Sequence, residues 1–225
     1  MGMKLDIQTF GDYTYVPEQA TALSGIIATQ VQNIVTNFEE MVNSITDLTN
    51  EWYGSQAMSI GQAFVDVFNK EQADIIAYIT SVPAWAGSVV QNVASLFGGG
   101  EGVKFENGVV EVTPCTATFQ AAGPGGKVGL TTAEAASRFQ TRFQAAADGV
   151  SAALKAILEG FVNNPYAAMP QPMQAATNTV TAANAKASNA ISAIQVSLAS
   201  IIGALTSEAE ALNRAAVEAA QSMNE

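Results

Sequence analysis

The chain has 225 residues, of which 48% are apolar and only 13% are charged, so it has ample material for a packed core and does not read as a disordered tail. Its 20 acidic residues outweigh 9 scattered basic ones for a net charge of −11, which argues against nucleic-acid binding, because phosphate neutralisation needs clustered Lys or Arg. Histidine is absent, and with it go Ser-His-Asp and Cys-His catalysis, histidine metal ligation and histidine pH switching.

Residues 5–9 alternate apolar and polar side chains and are followed by Gly11, Tyr13 and Pro17, which predicts a short extended arm. Residues 1–10 lack a basic start followed by an apolar run, so no general secretory signal peptide is expected. The protein either stays inside the cell or leaves by a route that does not read such a signal.

The first helix is predicted over 18–50, with Pro17 or a neighbour at its start. Ile27, Val31, Ile34, Phe38, Met41, Ile45, Leu48 and Trp52 alternate spacings of four and three, a continuous seam that has to be buried against another helix. Gly54 in the Trp52-Tyr53-Gly54 triplet then allows the chain to turn back. The second helix carries Ile60, Phe64, Phe68, Ile75, Ile79 and Val82, with a kink or break expected at Pro83 before helix resumes over 84–97.

Beyond Gly98-Gly99-Gly100 the pattern changes to strand. Residues 103–112 read as a hairpin around Asn107-Gly108, pairing Phe105 with Val110, Val103 with Val112 and Lys104 with Glu111. The sole cysteine, Cys115, permits no intramolecular disulfide or cysteine zinc cluster and reads as a small residue in a strand. Residues 116–119 are a candidate third strand, and the glycine-rich run 123–129 closes this insert.

A third helix is predicted from Thr131 or Thr132, with a seam of Phe139, Phe143, Ala146, Val150, Leu154, Ile157 and Phe161. Asn163-Asn164-Pro165, followed by Pro170 and Pro172, ends it. The last helix is predicted over 173–222, with a stripe of Val180, Ala187, Ile191, Ile194, Leu198, Ile201, Leu205, Leu212 and Ala219. The fold class is therefore mainly α, two long antiparallel helical hairpins forming a four-helix bundle, with a small β-hairpin insert between them.

Few residues suggest chemistry. The stretch Ala121-Ala122-Gly123-Pro124-Gly125-Gly126-Lys127-Val128 has Ala and Val where a phosphate-binding loop needs Gly and Ser or Thr, and it reads as a flexible linker. The pairs Glu39-Glu40 and Glu208 with Glu210 read as solvated helix faces. No catalytic residue, metal site or cofactor is expected.

A helical hairpin whose first helix ends Leu48-Thr49-Asn50-Glu51-Trp52-Tyr53-Gly54 and whose second begins Ser55-Gln56-Ala57-Met58-Ser59-Ile60-Gly61-Gln62-Ala63-Phe64 resembles the WXG family of bacterial type VII secretion substrates. Leu48, Trp52, Gly54, Ala57 and Phe64 fall where such proteins carry Leu, Trp, Gly, a small residue and Phe. The resemblance implies a secretion and turn motif at Trp52, Tyr53 and Gly54, hairpin packing by Leu48 and Phe64, and recognition by a secretion ATPase. The family completes that recognition with Tyr-Xaa-Xaa-Xaa-Asp/Glu, and none of Tyr13, Tyr15, Tyr53, Tyr78 or Tyr166 has an acid four residues later. A partner chain or a different export route then has to supply the second part.

The resulting plan is an extended arm (1–17), a WXG-like hairpin (18–97), a β insert with glycine-rich linker (98–130) and a second helical hairpin (131–225). The expected function is a non-enzymatic secreted interaction protein, leaving the cytoplasm for the exterior or cell surface without a signal peptide. Its expected partners are proteins: itself, another WXG-type chain, or a type VII secretion ATPase. A self-assembling filament subunit is the alternative, since residues 19–38 carry no charge. A membrane-active protein is the second alternative, since 75–97 and 187–207 are uncharged and each is long enough to span about 30 Å as a helix.

Overall fold

The computed structural model describes residues 17–51, 55–96, 114–116, 132–162 and 172–223. Among them lie four helices and no strand: α1 (Pro17–Glu51), α2 (Ser55–Leu96), α3 (Thr132–Val162) and α4 (Pro172–Ser222). The protein is mainly α. Both α1 and α4 begin on a proline, where the missing N–H would have had no intrahelical partner and the fixed backbone angle already suits a helix. The α3 helix begins at Thr132 with Glu134 in its first turn, where a carboxylate meets the positive end of the helix dipole.

Pro83 does not break α2, which runs without interruption from Ser55 to Leu96. A proline removes one helical hydrogen bond and crowds the carbonyl four residues earlier. Here the turns just before it are anchored by the buried Ile75, Ile79 and Val82, and the hydrogen-bond ladder resumes beyond it.

The chain forms two compact units. Unit 1 comprises Met1–Val35, Asp74–Val112 and Val150–Asn189, and unit 2 comprises Thr36–Ala73, Thr113–Gly149 and Ala190–Glu225. Unit 1 is built on aliphatic residues: Ile27, Val31 and Ile34 of α1, Ile75, Ile79 and Val82 of α2, Val150, Leu154 and Ile157 of α3, and Val180 and Ala187 of α4 are all buried. Among the described residues the buried phenylalanines all belong to unit 2, where Phe38, Phe64, Phe68, Phe139 and Phe143 join Met41, Ile45 and Leu48 of α1 and Ile191, Ile194, Leu198 and Ile201 of α4. The described members of the seams read from spacing, Ala219 excepted, are therefore buried.

Several expectations are corrected or lie outside the described residues. Ala219, placed on the α4 stripe by its spacing, is exposed, and so is every described side chain from 206 to 223. The spacing continues there, but the described part of the chain brings no surface against it. Cys115 is buried but lies in no strand, and Thr116 is likewise irregular and exposed. The arm (1–16), the hairpin 103–112, residues 117–119, the run 123–129 and the turn 163–165 fall outside the described residues, as do the side chains of Ile60, Phe161, Leu205 and Leu212.

Helical glycines divide into two environments. A Cβ added to Gly203 would meet nothing within 4 Å, whereas one added to Gly149 of α3 would lie 2.6 Å from Cγ of Asn37 on α1. Gly203→Ala should stabilise the protein by about 0.5–1 kcal/mol, the usual helical gain over glycine. Gly149→Ala should gain less or lose stability, and the full gain should return in an Asn37→Ala background, as measured by urea denaturation of the four variants.

Candidate functional site

The α1 helix ends at Glu51 and α2 begins at Ser55, so Trp52, Tyr53 and Gly54 occupy the three positions between two long helices, while their own structure lies outside the described residues. The two packing residues named with them, Leu48 and Phe64, are each 1% exposed and both belong to unit 2.

Phe64 belongs to an aromatic cluster centred on Phe143 of α3. Its ring meets Phe139 edge-on at 5.6 Å and Phe143 at 5.3 Å, so α2 is held against α3. Phe68, one turn further along α2, contacts Phe143 at 5.9 Å and stacks on Phe38 of α1 at 5.8 Å. Each such ring pair adds about 0.5–1.5 kcal/mol beyond simple area burial. Phe64 therefore joins α2 to α3, and Phe68 extends the contact to α1.

An ion-pair clamp ties α3 to α1 in the same unit. Arg142 Nε donates to Glu40 Oε1 at 2.8 Å, and its Nη1 donates to Asp47 Oδ2. Glu40 and Asp47 are two helical turns apart, so one guanidinium spans about 10 Å of α1. Hydrogen bonding to Glu40 first, and then to Asp47, raises the guanidinium pKa and keeps the charge fixed. Glu40 is thus more than a solvated acid, although the three side chains are 29%, 41% and 44% exposed and water screens the interaction. On the α4 side, Asp148 Oδ1 accepts from Gln195 at 3.0 Å and from Gln144 at 2.8 Å.

Two polar residues missing from the apolar pattern sit inside the seams. Asn184 falls between Val180 and Ala187 at the spacing of four and three, and is 4% exposed. Its Nδ2 donates to Tyr78 Oη at 3.0 Å and to the Leu154 carbonyl at 2.8 Å, linking α4 to α2 and α3 within unit 1. Gln72 fills the gap between Phe68 and Ile75, is 6% exposed, and pairs with the backbone of Cys115. The signal for both was available in the sequence: an amide at a position where the heptad calls for an apolar side chain. Ser44, the remaining buried polar residue among those described, donates from Oγ to the Glu40 carbonyl at 2.7 Å.

Among the described residues no group of three His, Cys, Asp or Glu is placed to hold a metal ion. What the arrangement does is hold helices in register, through rings in unit 2 and an amide-to-phenol bond in unit 1.

The buried phenol has a measurable consequence. Burial pushes the Tyr78 pKa up from 10.0 to about 12, only partly opposed by the hydrogen bond from Asn184. In that window the folded protein keeps a proton that the unfolded chain releases, so this stabilisation is complete below pH 10 and is lost as pH rises towards 12. The loss amounts to roughly 2–3 kcal/mol. Unfolding free energies measured between pH 9 and 12 should show this decline in the native chain and a shallower one in Tyr78→Phe. Asn184→Leu should cost about 1–3 kcal/mol despite its apolar replacement, because Tyr78 Oη loses its partner inside the core. The chain matches no family model, no curated protein and no solved structure.

Proposed function

We propose that this chain is a non-enzymatic helical interaction protein of the WXG type, exported without a signal peptide by a type VII route and acting by binding other proteins. The observation that carries the reading is that α1 ends at Glu51 and α2 begins at Ser55, on either side of Trp52, Tyr53 and Gly54, with Leu48 before them and Phe64 after them both buried. This is the layout a Trp-Xaa-Gly helical hairpin requires, and the chemistry is one of surface and packing.

In this reading the protein is one four-helix bundle of two hairpins, 18–97 and 131–225, with a displayed β-hairpin insert over 98–130. The second hairpin takes the place that a separate small subunit would fill. Bonds between the halves support it within each unit: Arg142 to Glu40 and Asp47 in unit 2, and Asn184 to Tyr78 in unit 1. The absent Tyr-Xaa-Xaa-Xaa-Asp/Glu signal is then supplied by a bound partner chain.

A second reading, a self-assembling surface subunit, is favoured by the last turns of α4. Every described side chain from 206 to 223 is exposed, with Val217 and Met223 among them. A helix of this length without tertiary packing is marginal in water, so a neighbouring helix would stabilise it. The membrane-active reading draws on α4 as well, whose stretch Asn178–Ala204 is long and apolar enough to cross a bilayer by length and composition. A third of that window is buried, and its buried face is the seam from Val180 to Ile201, which suits a core helix as well as a span.

The deciding experiment is export of the native chain, Trp52→Ala and Gly54→Ala in the source strain with and without its type VII ATPase. Export of the native chain alone, and only with the ATPase, is the expected result. Export that ignores the ATPase would remove the type VII reading. Filaments in negative-stain images of concentrated protein would then favour assembly, and dye release from liposomes would favour membrane action.

A further inference from the structure

The α4 helix outruns its core. Its last buried seam residue among those described is Ile201, and every described side chain from Thr206 to Met223 is exposed, including the unbroken run from Asn213 to Met223. The helix nonetheless continues to Ser222, and the Met223 N–H still donates to the Ala219 carbonyl at 3.2 Å, so the last residues keep helical register. About 25 Å of helix without tertiary packing is marginal in water on its own. Its residues are also sorted by face. Glu210, Arg214 and Glu218 recur every four residues on one side. Ala216, Ala219 and Met223 lie opposite them at spacings of three and four, and Leu205, Ala209 and Leu212 share that stripe by spacing. The stripe continues the line of Ile194, Leu198 and Ile201, which is buried within unit 2.

We propose that this end of α4 is a dimerisation helix, which pairs antiparallel with the same segment of a second copy of the chain. The stripe complements its own reverse. With the two-fold axis at Arg214, Leu212 meets Ala216 of the second copy, Ala209 meets Ala219 and Leu205 meets Met223, and the same contacts recur by symmetry. Large side chains at the centre thus face small ones, whereas parallel pairing would stack Leu212 on Leu212 and Ala216 on Ala216 and leave voids between the wide layers. This register uses the whole exposed length and stops at Leu205, close to where the core of unit 2 begins. Charge favours the same face. A chain of net charge −11 repels its own copies, and on this stripe no acids are opposed: Glu210 and Glu218 stay on the outer side, and Glu208 at the edge falls beside Ser222 of the second copy. The two-fold closes the interface, so association ends at the dimer instead of propagating as a filament. Each copy offers one helix face about 25 Å long and about 10 Å wide, which belongs to the small, reversible class of interface. Pairing of this kind does not involve Trp52, Tyr53 or Gly54, so it occurs or fails in purified protein whatever the export route.

Sedimentation velocity of the purified full chain, from micromolar to millimolar concentration, tests the dimer. The native chain should pass from monomer to dimer as concentration rises and go no further. Ala216→Glu and Ala219→Glu should each weaken the dimer by about tenfold or more, since a carboxylate costs most where pairing would bury it. Both residues are exposed in the single chain, so helical circular dichroism and the urea midpoint of the monomer should not change. Spin labels on Met223→Cys report direction: they should lie about 27 Å apart along the axis in the antiparallel pair, against about 10 Å in a parallel one. Cys115, 3% exposed, is shielded from the label. A native chain that stays monomeric at every concentration, a dimer that both glutamate variants leave intact, growth beyond two copies, or labels at the short distance would each overturn the proposal.

Discussion

Each of the four helices carries one apolar stripe that has to be kept from water, and the chain has few charges with which to solvate anything else. Ile27 to Leu48 on α1, Phe64 to Val82 on α2, Phe139 to Ile157 on α3 and Val180 to Ile201 on α4 are stripes of this kind, and their described apolar members are buried. A stripe repeating at spacings of four and three is satisfied by neighbouring helices that run alongside it for several turns. Long helices and residues from all four in each unit's core are consequences of this requirement.

Apolar stripes alone specify burial more strongly than register, because one aliphatic layer resembles the next. The polar residues and the rings supply what the stripes lack. Asn184 can satisfy its two donors only where Tyr78 and the Leu154 carbonyl converge, and a slip by one turn would leave an amide buried without partners. In unit 2 the edge-to-face contacts of Phe64 with Phe139 and Phe143 have the same discriminating effect, since ring contacts depend on angle as well as distance. The close approach of Asn37 to Gly149 adds a steric mark at one point of α1 against α3. Unit 1 is thus aligned by the Asn184 hydrogen bonds, and unit 2 by aromatic packing together with the bonds of Arg142 and Asp148.

Few charges also mean few ionic contacts: among the described residues Arg142 bridges α3 to α1, and the amides of Asn184 and Gln195 bond across helices. The exposed end of α4 is a surface that packing within the described chain leaves unused.

By itself the sequence determined the helices, because periodicity is a local property: the seams, the starts at Pro17 and Thr132 and the end of α1 before Trp52 follow from residues near one another in the chain. It also contained the gaps at Gln72 and Asn184, but not their meaning, since a polar residue in a seam is a defect until its partner is known. Only the tertiary structure decided that Gln72 pairs with a backbone 43 residues away and Asn184 with a phenol 106 residues away. It also decided that Glu40 belongs to Arg142, that α2 passes through Pro83 unbroken, and that the stripe on α4 stops being buried before Ala219. Spacing states which face of a helix seeks burial, whereas a hydrogen-bond partner or a covering surface depends on what the rest of the chain brings near it in space.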